Sequence, residues 1–167
     1  MKDDDLMGVD GEPDEGGEEG RLLQSLVGEV WVGVYRFGGM GVVDFGATVS
    51  WPLGDSGEVS TGSRFAVHAR CPFRIVQCGE VYLGSDDLVP AGNGDRLAYD
   101  IGADALRAFL ARESPRVLAV ERVPEGDLRI TLEHGLRIDV LPTSSKVEES
   151  WRCFERLGGQ VVFPSVD

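Results

Sequence analysis

The stretch Asp-Leu-Arg-Ile-Thr-Leu-Glu-His-Gly-Leu-Arg-Ile-Asp-Val-Leu-Pro, residues 127–142, limits the possible folds more than any other part of this chain. Leu128, Ile130 and Leu132 alternate with Arg129, Thr131 and Glu133; after His134-Gly135, Leu136, Ile138 and Val140 alternate with Arg137 and Asp139. Successive side chains on a strand point to opposite faces, so a period of two on both sides of a glycine-containing link describes a hairpin with one buried and one wet face. A single hairpin is marginal in water. The chain must therefore supply further strands to cover this one.

Those strands are legible elsewhere. Residues 28–37 and 42–51 are rich in Val and aromatics and flank the Gly-Gly-Met-Gly turn at 38–41, which predicts a second hairpin. Pro52 to Ser63 reads as a loop from its Gly, Ser, Pro and Asp content. Short strands follow at 64–69, 73–78 and 80–84, then at 116–123 and 160–165. One helix is expected over 101–112, where Ile101, Ala105, Ala108 and Phe109 fall near helical spacing, Leu106 and Leu110 widen the stripe, and Pro115 lies beyond the end. Residues 145–157 support two readings. Ser145 with Glu148 forms a capping box for a helix carrying Val147, Trp151 and Phe154 on one face, or Trp151 to Phe154 forms a short strand. A loose echo links 28–46 with 115–132, each running strand, glycine turn, strand, with acids at Asp44 and Asp127; common descent and the general likeness of hairpins both fit it.

The fold class expected is α+β, mainly antiparallel β in a rolled sheet or sandwich with one or two helices, and 167 residues suit one hydrophobic core. Residues 1–21 read as a mobile acidic tail and 22–167 as the domain. The formal net charge is −13, and the first twenty residues hold nine acids against Lys2. Such a balance repels phosphate backbones and anionic lipid surfaces, so neither nucleic acid nor membrane is an expected partner, whereas a basic protein is. No apolar run approaches a membrane span and the acidic start lacks a signal-peptide pattern, which leads to a cytoplasmic expectation. Cys71, Cys78 and Cys153 are too few and too unevenly spaced for a disulfide framework and are expected to be free thiols.

Several constellations invite a chemical reading. His68, Cys71 and Cys78, with Asp86 or Cys153, contain metal-ligand types but lack a second closely spaced pair, and Cys71 with Cys78 lacks the Cys-x-x-Cys spacing of a redox motif. Gly-Asp-Ser-Gly-Glu at 54–58 is not a nucleophile elbow. Ala-Gly-Asn-Gly-Asp-Arg at 91–96 lacks the lysine of a phosphate loop. His134 sits at a turn, and adjacent acids such as Asp86-Asp87 point to opposite faces. No catalytic, metal or cofactor residue is assigned. The acids expected to face a partner are Asp55, Glu58, Asp86, Asp87, Glu148 and Glu149.

Cys-Pro-Phe-Arg-Ile at 71–75, Leu-Gly-Ser-Asp-Asp at 83–87, Gly-Asp-Leu-Arg-Ile through Gly-Leu-Arg-Ile-Asp-Val within 126–142, and Glu-Ser-Trp at 149–151 follow one another in an order that resembles a family of small bacterial domains of unknown function. The resemblance runs over about residues 26–163, with Phe73 where tryptophan is commoner. It implies a β-rich binding domain of the kind found in toxin-immunity neighbourhoods, and it brings no catalytic residue with it. The leading expectation is a non-enzymatic protein-binding module, an immunity-type inhibitor of a basic protein. The alternatives are a small-molecule or carrier domain with a pocket between sheet and helix, and an uncharacterised hydrolase.

Overall fold

A computed structural model describes residues 17–165. In chain order the elements are α1 (Glu18–Gln24), β1 (Trp31–Phe37), β2 (Met40–Leu53), β3 (Glu58–Ala69), β4 (Phe73–Gln77), β5 (Glu80–Gly84), α2 (Ala98–Glu113), β6 (Val117–Arg122), β7 (Leu128–Leu132), β8 (Leu136–Val140), β9 (Trp151–Glu155) and β10 (Gln160–Phe163), with a short 3-10 turn over Ser85–Asp87. The strands form two antiparallel five-stranded sheets, β1-β2-β3-β9-β10 and β5-β4-β8-β7-β6, an α+β fold as expected.

Alternation built the hairpins. Leu128, Ile130, Leu132, Leu136, Ile138 and Val140 are all buried, and Ile130 pairs with Ile138 across the β7–β8 ladder. The turn works because His134 (φ 61°) and Gly135 (φ 69°) are both left-handed, the conformation that matches the twist of the strands they join. Cys78 (φ 50°) and Gly79 (φ 85°) close β4–β5 the same way. One buried cluster spans both sheets. It takes Trp31, Phe45, Phe65 and Trp151 from the first sheet and Ile75, Leu83, Ile130 and Ile138 from the second.

The two sheets repeat one another. Each is a three-strand meander completed by a hairpin from the other half of the chain: β9–β10 extends β1-β2-β3, and β4–β5 extends β8-β7-β6. A helix precedes each meander, and each helix packs on the corner where the sheet edges meet, α1 on β6, β9 and β10 and α2 on β1 and β5. Register agrees as well. The row Gly41–Ala69–Trp151 in the first sheet matches Leu128–Val140–Phe73 in the second, and the irregularity between Trp31 and Gly33 recurs between Val117 and Ala119. At the Val30–Arg116 bridge, Trp31 N–H donates to Pro115 O and Val117 N–H donates to Glu29 O, each at 2.9 Å. Reciprocal bonds of this kind mark an approximate internal two-fold axis. The echoing segments 28–46 and 115–132 are the two hairpins that this axis relates.

Three sequence expectations are corrected, and the open choice at 145–157 is decided. Residues 18–21, placed in the tail, belong to α1: Leu23 and Leu26 behind it are buried, and Glu19 accepts from Arg122 at 3.0 Å, so the helix is held by burial the acidic composition concealed. The rest of the expected tail, residues 1–16, lies outside the described residues. The helix at 101–112 exists, but its buried stripe is Tyr99, Ala103, Leu106 and Leu110, leaving Ile101 exposed; apolar residues surround this helix, and packing chose the face. Gly102 lies close to β5 on this side, where a Cβ would come within 2.8 Å of Leu83. Residues 151–155 are strand, not helix, because Trp151 and Cys153 alternate into the core while β3 offers an edge to pair with; Val147 is 81% exposed. Finally, the loop expected from Pro52 to Ser63 is largely strand, and only Gly54–Gly57 remains as its turn.

Candidate functional site

The main asymmetry between the halves lies in β2 and β3. β7 and β8 are joined by the tight His134-Gly135 turn, whereas the equivalent β2 and β3 run far past the sheet before they turn. β1 pairs with β2 only as far as Phe45, and β9 pairs with β3 only from Phe65. The ladder from Thr48–Ser63 to Leu53–Glu58 is thus a two-stranded arm about 20 Å long. An irregularity between Phe45 and Thr48, at Gly46 (φ 85°), sets it off from the sheet.

The arm carries little cover and few charges. Asp55 and Glu58 are the only charged residues from 47 to 63, and beside them Leu53 and Val59 are exposed to 46% and 62%. What keeps so thin an element in place is Arg156. Its Nε donates to Ser63 O at 2.7 Å while its guanidinium stacks on Trp51 at 4.9 Å and on Phe154 at 5.4 Å. Gly62 makes that stack possible, because a Cβ there would meet the guanidinium at 2.9–3.0 Å and Trp51 at 3.1 Å. Arg64, bound to Glu155 at 2.8 Å and near Glu29 at 3.5 Å, ties the arm's base to β9.

Beneath the arm an open groove of about 390 Å³ runs over the outward face of the first sheet, past Trp51, His68, Arg152, Phe154, Arg156 and Gln160. His68 meets the edge of Phe154 at 4.9 Å; burial, then Arg152 and Arg156, push its pKa below the usual histidine value, with Glu149 opposing them. Arg152 is itself held by both oxygens of Glu149, at 2.7 and 2.5 Å. Asp44, further along this face, has one carboxylate oxygen enclosed without a hydrogen-bond partner among the described residues, and burial raises its pKa although Arg156 opposes. No family model, curated protein or solved structure matches the chain.

The six acids singled out in the sequence do not form one patch. Asp55 and Glu58 lie together at the tip of the arm. Glu148 and Glu149 precede β9, whose first residue Trp151 pairs with Ala69, the opposite end of β3 from Glu58. Asp86 and Asp87 occupy the 3-10 turn after β5, where Asp87 accepts from Gly84 N–H at 2.8 Å. Among the described residues no three His, Cys, Asp or Glu side chains converge as metal ligands. His68 faces outward on β3, Cys71 is half-buried with its pKa raised by burial to about 11, Cys78 is exposed in its turn, and Cys153 is in the core with its pKa raised by burial to about 12. Where a pocket between sheet and helix was expected as an alternative, there is a cleft of about 280 Å³ between β1 and α2. The Arg36–Asp100 ion pair at 2.7 Å and the Tyr99 hydroxyl bound to Tyr35 O at 2.8 Å occupy its walls.

Sequence reasoning missed Trp51, Gly62 and Arg156. A signal was present: Val49, Trp51 and Leu53 alternate before Gly-Asp-Ser-Gly, and Val59 and Thr61 alternate after it, the pattern of strands around a turn. The glycines and serines masked it, because their low strand propensity is overridden once each strand has the other to pair with.

Proposed function

We propose that this protein is a non-enzymatic protein-binding module whose β2–β3 arm engages a basic partner, and that inhibition of that partner, in the manner of an immunity protein, is its role. One observation carries the reading: the symmetry-related half closes the same two strands with His134-Gly135, so the arm is surplus to what the fold requires. Its composition suits a docking finger. Leu53 and Val59 offer apolar area, and Asp55 and Glu58 supply the charge that steers a basic surface into place. No helix of the described residues is long and apolar enough to cross a membrane.

The test compares the full chain with a variant in which residues 47–63 are replaced by a two-residue His-Gly turn. Both should show the same cooperative thermal unfolding, and a basic protein recovered from the native host by the full chain should be lost with the variant. Its association rate with the full chain should fall steeply from low to physiological salt, and less steeply for Asp55→Asn with Glu58→Gln. Recovery of the same protein by the arm-less variant would overturn the proposal. A second reading, a small-molecule site, rests on the groove at the arm's base, and saturable binding of a metabolite abolished by Trp51→Ala would favour it.

A further inference from the structure

The outward face of the second sheet carries a different feature. Asp139, at the middle of the central strand β8, points away from the core yet is only 1% exposed, because three arginines close over it. Arg74 on β4 and Arg129 on β7 stand directly opposite it in register, and Arg137 lies two residues back on β8. Each donates through Nε: Arg74 to one carboxylate oxygen at 2.9 Å, Arg129 to the other at 2.9 Å, and Arg137 to both at 3.1 Å. The terminal amino groups of all three make no hydrogen bond among the described residues, and the side chains remain 42%, 49% and 32% exposed.

Two comparisons within the molecule set this cluster apart. Arg36, Arg112, Arg122 and Arg152 each meet a carboxylate of their own, whereas here three cations share one, leaving a local excess of two positive charges on a chain of formal charge −13. Glu121, opposite Arg129 on β6, makes no ion pair with it. The internal two-fold supplies the second comparison. In the first sheet the places of Asp139, Arg74, Arg129 and Arg137 are taken by His68, Arg152, Val42 and Ala66, so the fold itself does not call for a guanidinium cluster.

We propose that Arg74, Arg129 and Arg137, held by Asp139, form a binding site for a tetrahedral dianion of the phosphate class, free or carried as a monoester on a larger molecule. The buried carboxylate fixes the three planes by their Nε edges and leaves the amino edges for the ligand, the donor geometry that phosphate oxygens accept. A dianion cancels the local excess, and side chains this exposed admit a phosphoryl group presented by something large. The site lies on the opposite sheet from the arm and does not depend on the role given to it.

The test is a titration of the full chain followed through the arginine Nε–H resonances, with inorganic phosphate, then phosphoserine peptide, at constant ionic strength in chloride. Saturating shifts are expected at Arg74, Arg129 and Arg137. Binding should strengthen from about pH 5 to 7.5 as a monoester with a second pKa of about 6 becomes dianionic. Arg129→Gln should weaken it about tenfold, since one charge-assisted donor is lost, and Arg74→Lys, which keeps the charge, gives the same reading should the first variant fail to fold. Arg112→Gln at the end of α2 should leave it unchanged. Tighter binding of the phosphopeptide assigns the site to a monoester, and binding no tighter than the free ion assigns it to phosphate itself. Shifts that never saturate, that chloride reproduces, or that survive in both arginine variants would overturn the proposal.

Discussion

Asp44 and Asp139 both project from the outward face of a strand inside its sheet, and their surroundings treat them oppositely. Burial raises the pKa of Asp44, one of whose oxygens has no partner among the described residues. Burial works against ionisation of Asp139 too, but hydrogen bonds from Arg74, Arg129 and Arg137 outweigh it and hold the pKa low. The consequences for stability differ in sign. Protonated Asp44 stabilises the fold below the unfolded value near 3.8, and that contribution is lost as pH rises through its folded pKa. Asp139 stabilises above 3.8 and loses its contribution as pH falls through its folded pKa. Asp44→Asn should therefore raise stability by about 1 kcal/mol at pH 7 and do nothing near pH 3. Asp139→Asn should cost about 2 to 4 kcal/mol at pH 7, since it leaves three cations without their counter-charge. Urea unfolding at the two pH values reads both. His68 adds a third limb: with its folded pKa below 6.5, stability declines as pH falls from there through the folded value.

Trp151 belongs to the same scale. It is fully buried, stacks on Phe163 at 6.0 Å, and donates its indole N–H at 2.8 Å to Gly126 O in the connection before β7. Trp151→Ala should cost about 3 to 5 kcal/mol from the cavity and the orphaned carbonyl together, measured by denaturant unfolding.

Among the elements, the hairpins divide by what holds them. The tips of β4–β5 and β7–β8 touch, with Cys78 N–H donating to Gly135 O at 2.9 Å, and a Cβ on Gly135 would lie 3.0 Å from the Cys78 sulfur. Gly135→Ala should cost about 1 to 3 kcal/mol, read as a lowered thermal midpoint, because it adds left-handed strain to that contact. The arm is held instead by Arg156 against Trp51, and Gly62→Val should loosen it by expelling that guanidinium. Proteolysis at Gly54–Gly57 is expected to accelerate in that variant while the core's unfolding free energy stays within about 0.5 kcal/mol of the parent's. Strands with a strict period of two, such as β7 and β8, were legible because burial imposes that pattern directly. Trp151–Glu155 was not, since Val147, Trp151 and Phe154 satisfy a helical spacing as well, and only the free edge of β3 decides for a strand.

At the scale of the molecule, each sheet depends on a hairpin from the other half of the chain, so neither half can fill its own sheet. Fragments separated in the connection between Pro90 and Leu97 should each be unfolded alone and regain near-ultraviolet circular dichroism on mixing; a folded fragment on its own would contradict the interdependence. The sequence by itself determined the class of fold, the hairpins at 28–51, 73–84 and 128–140 and the presence of a helix near 101–112, because alternation, glycine turns and composition are local consequences of burial. It did not determine the exchange of hairpins between sheets, the face of α2, the arm, or the gathering of Arg74, Arg129 and Arg137 around Asp139. Those depend on which strand edge pairs with which over separations of dozens of residues, and that choice is made by packing the shared core.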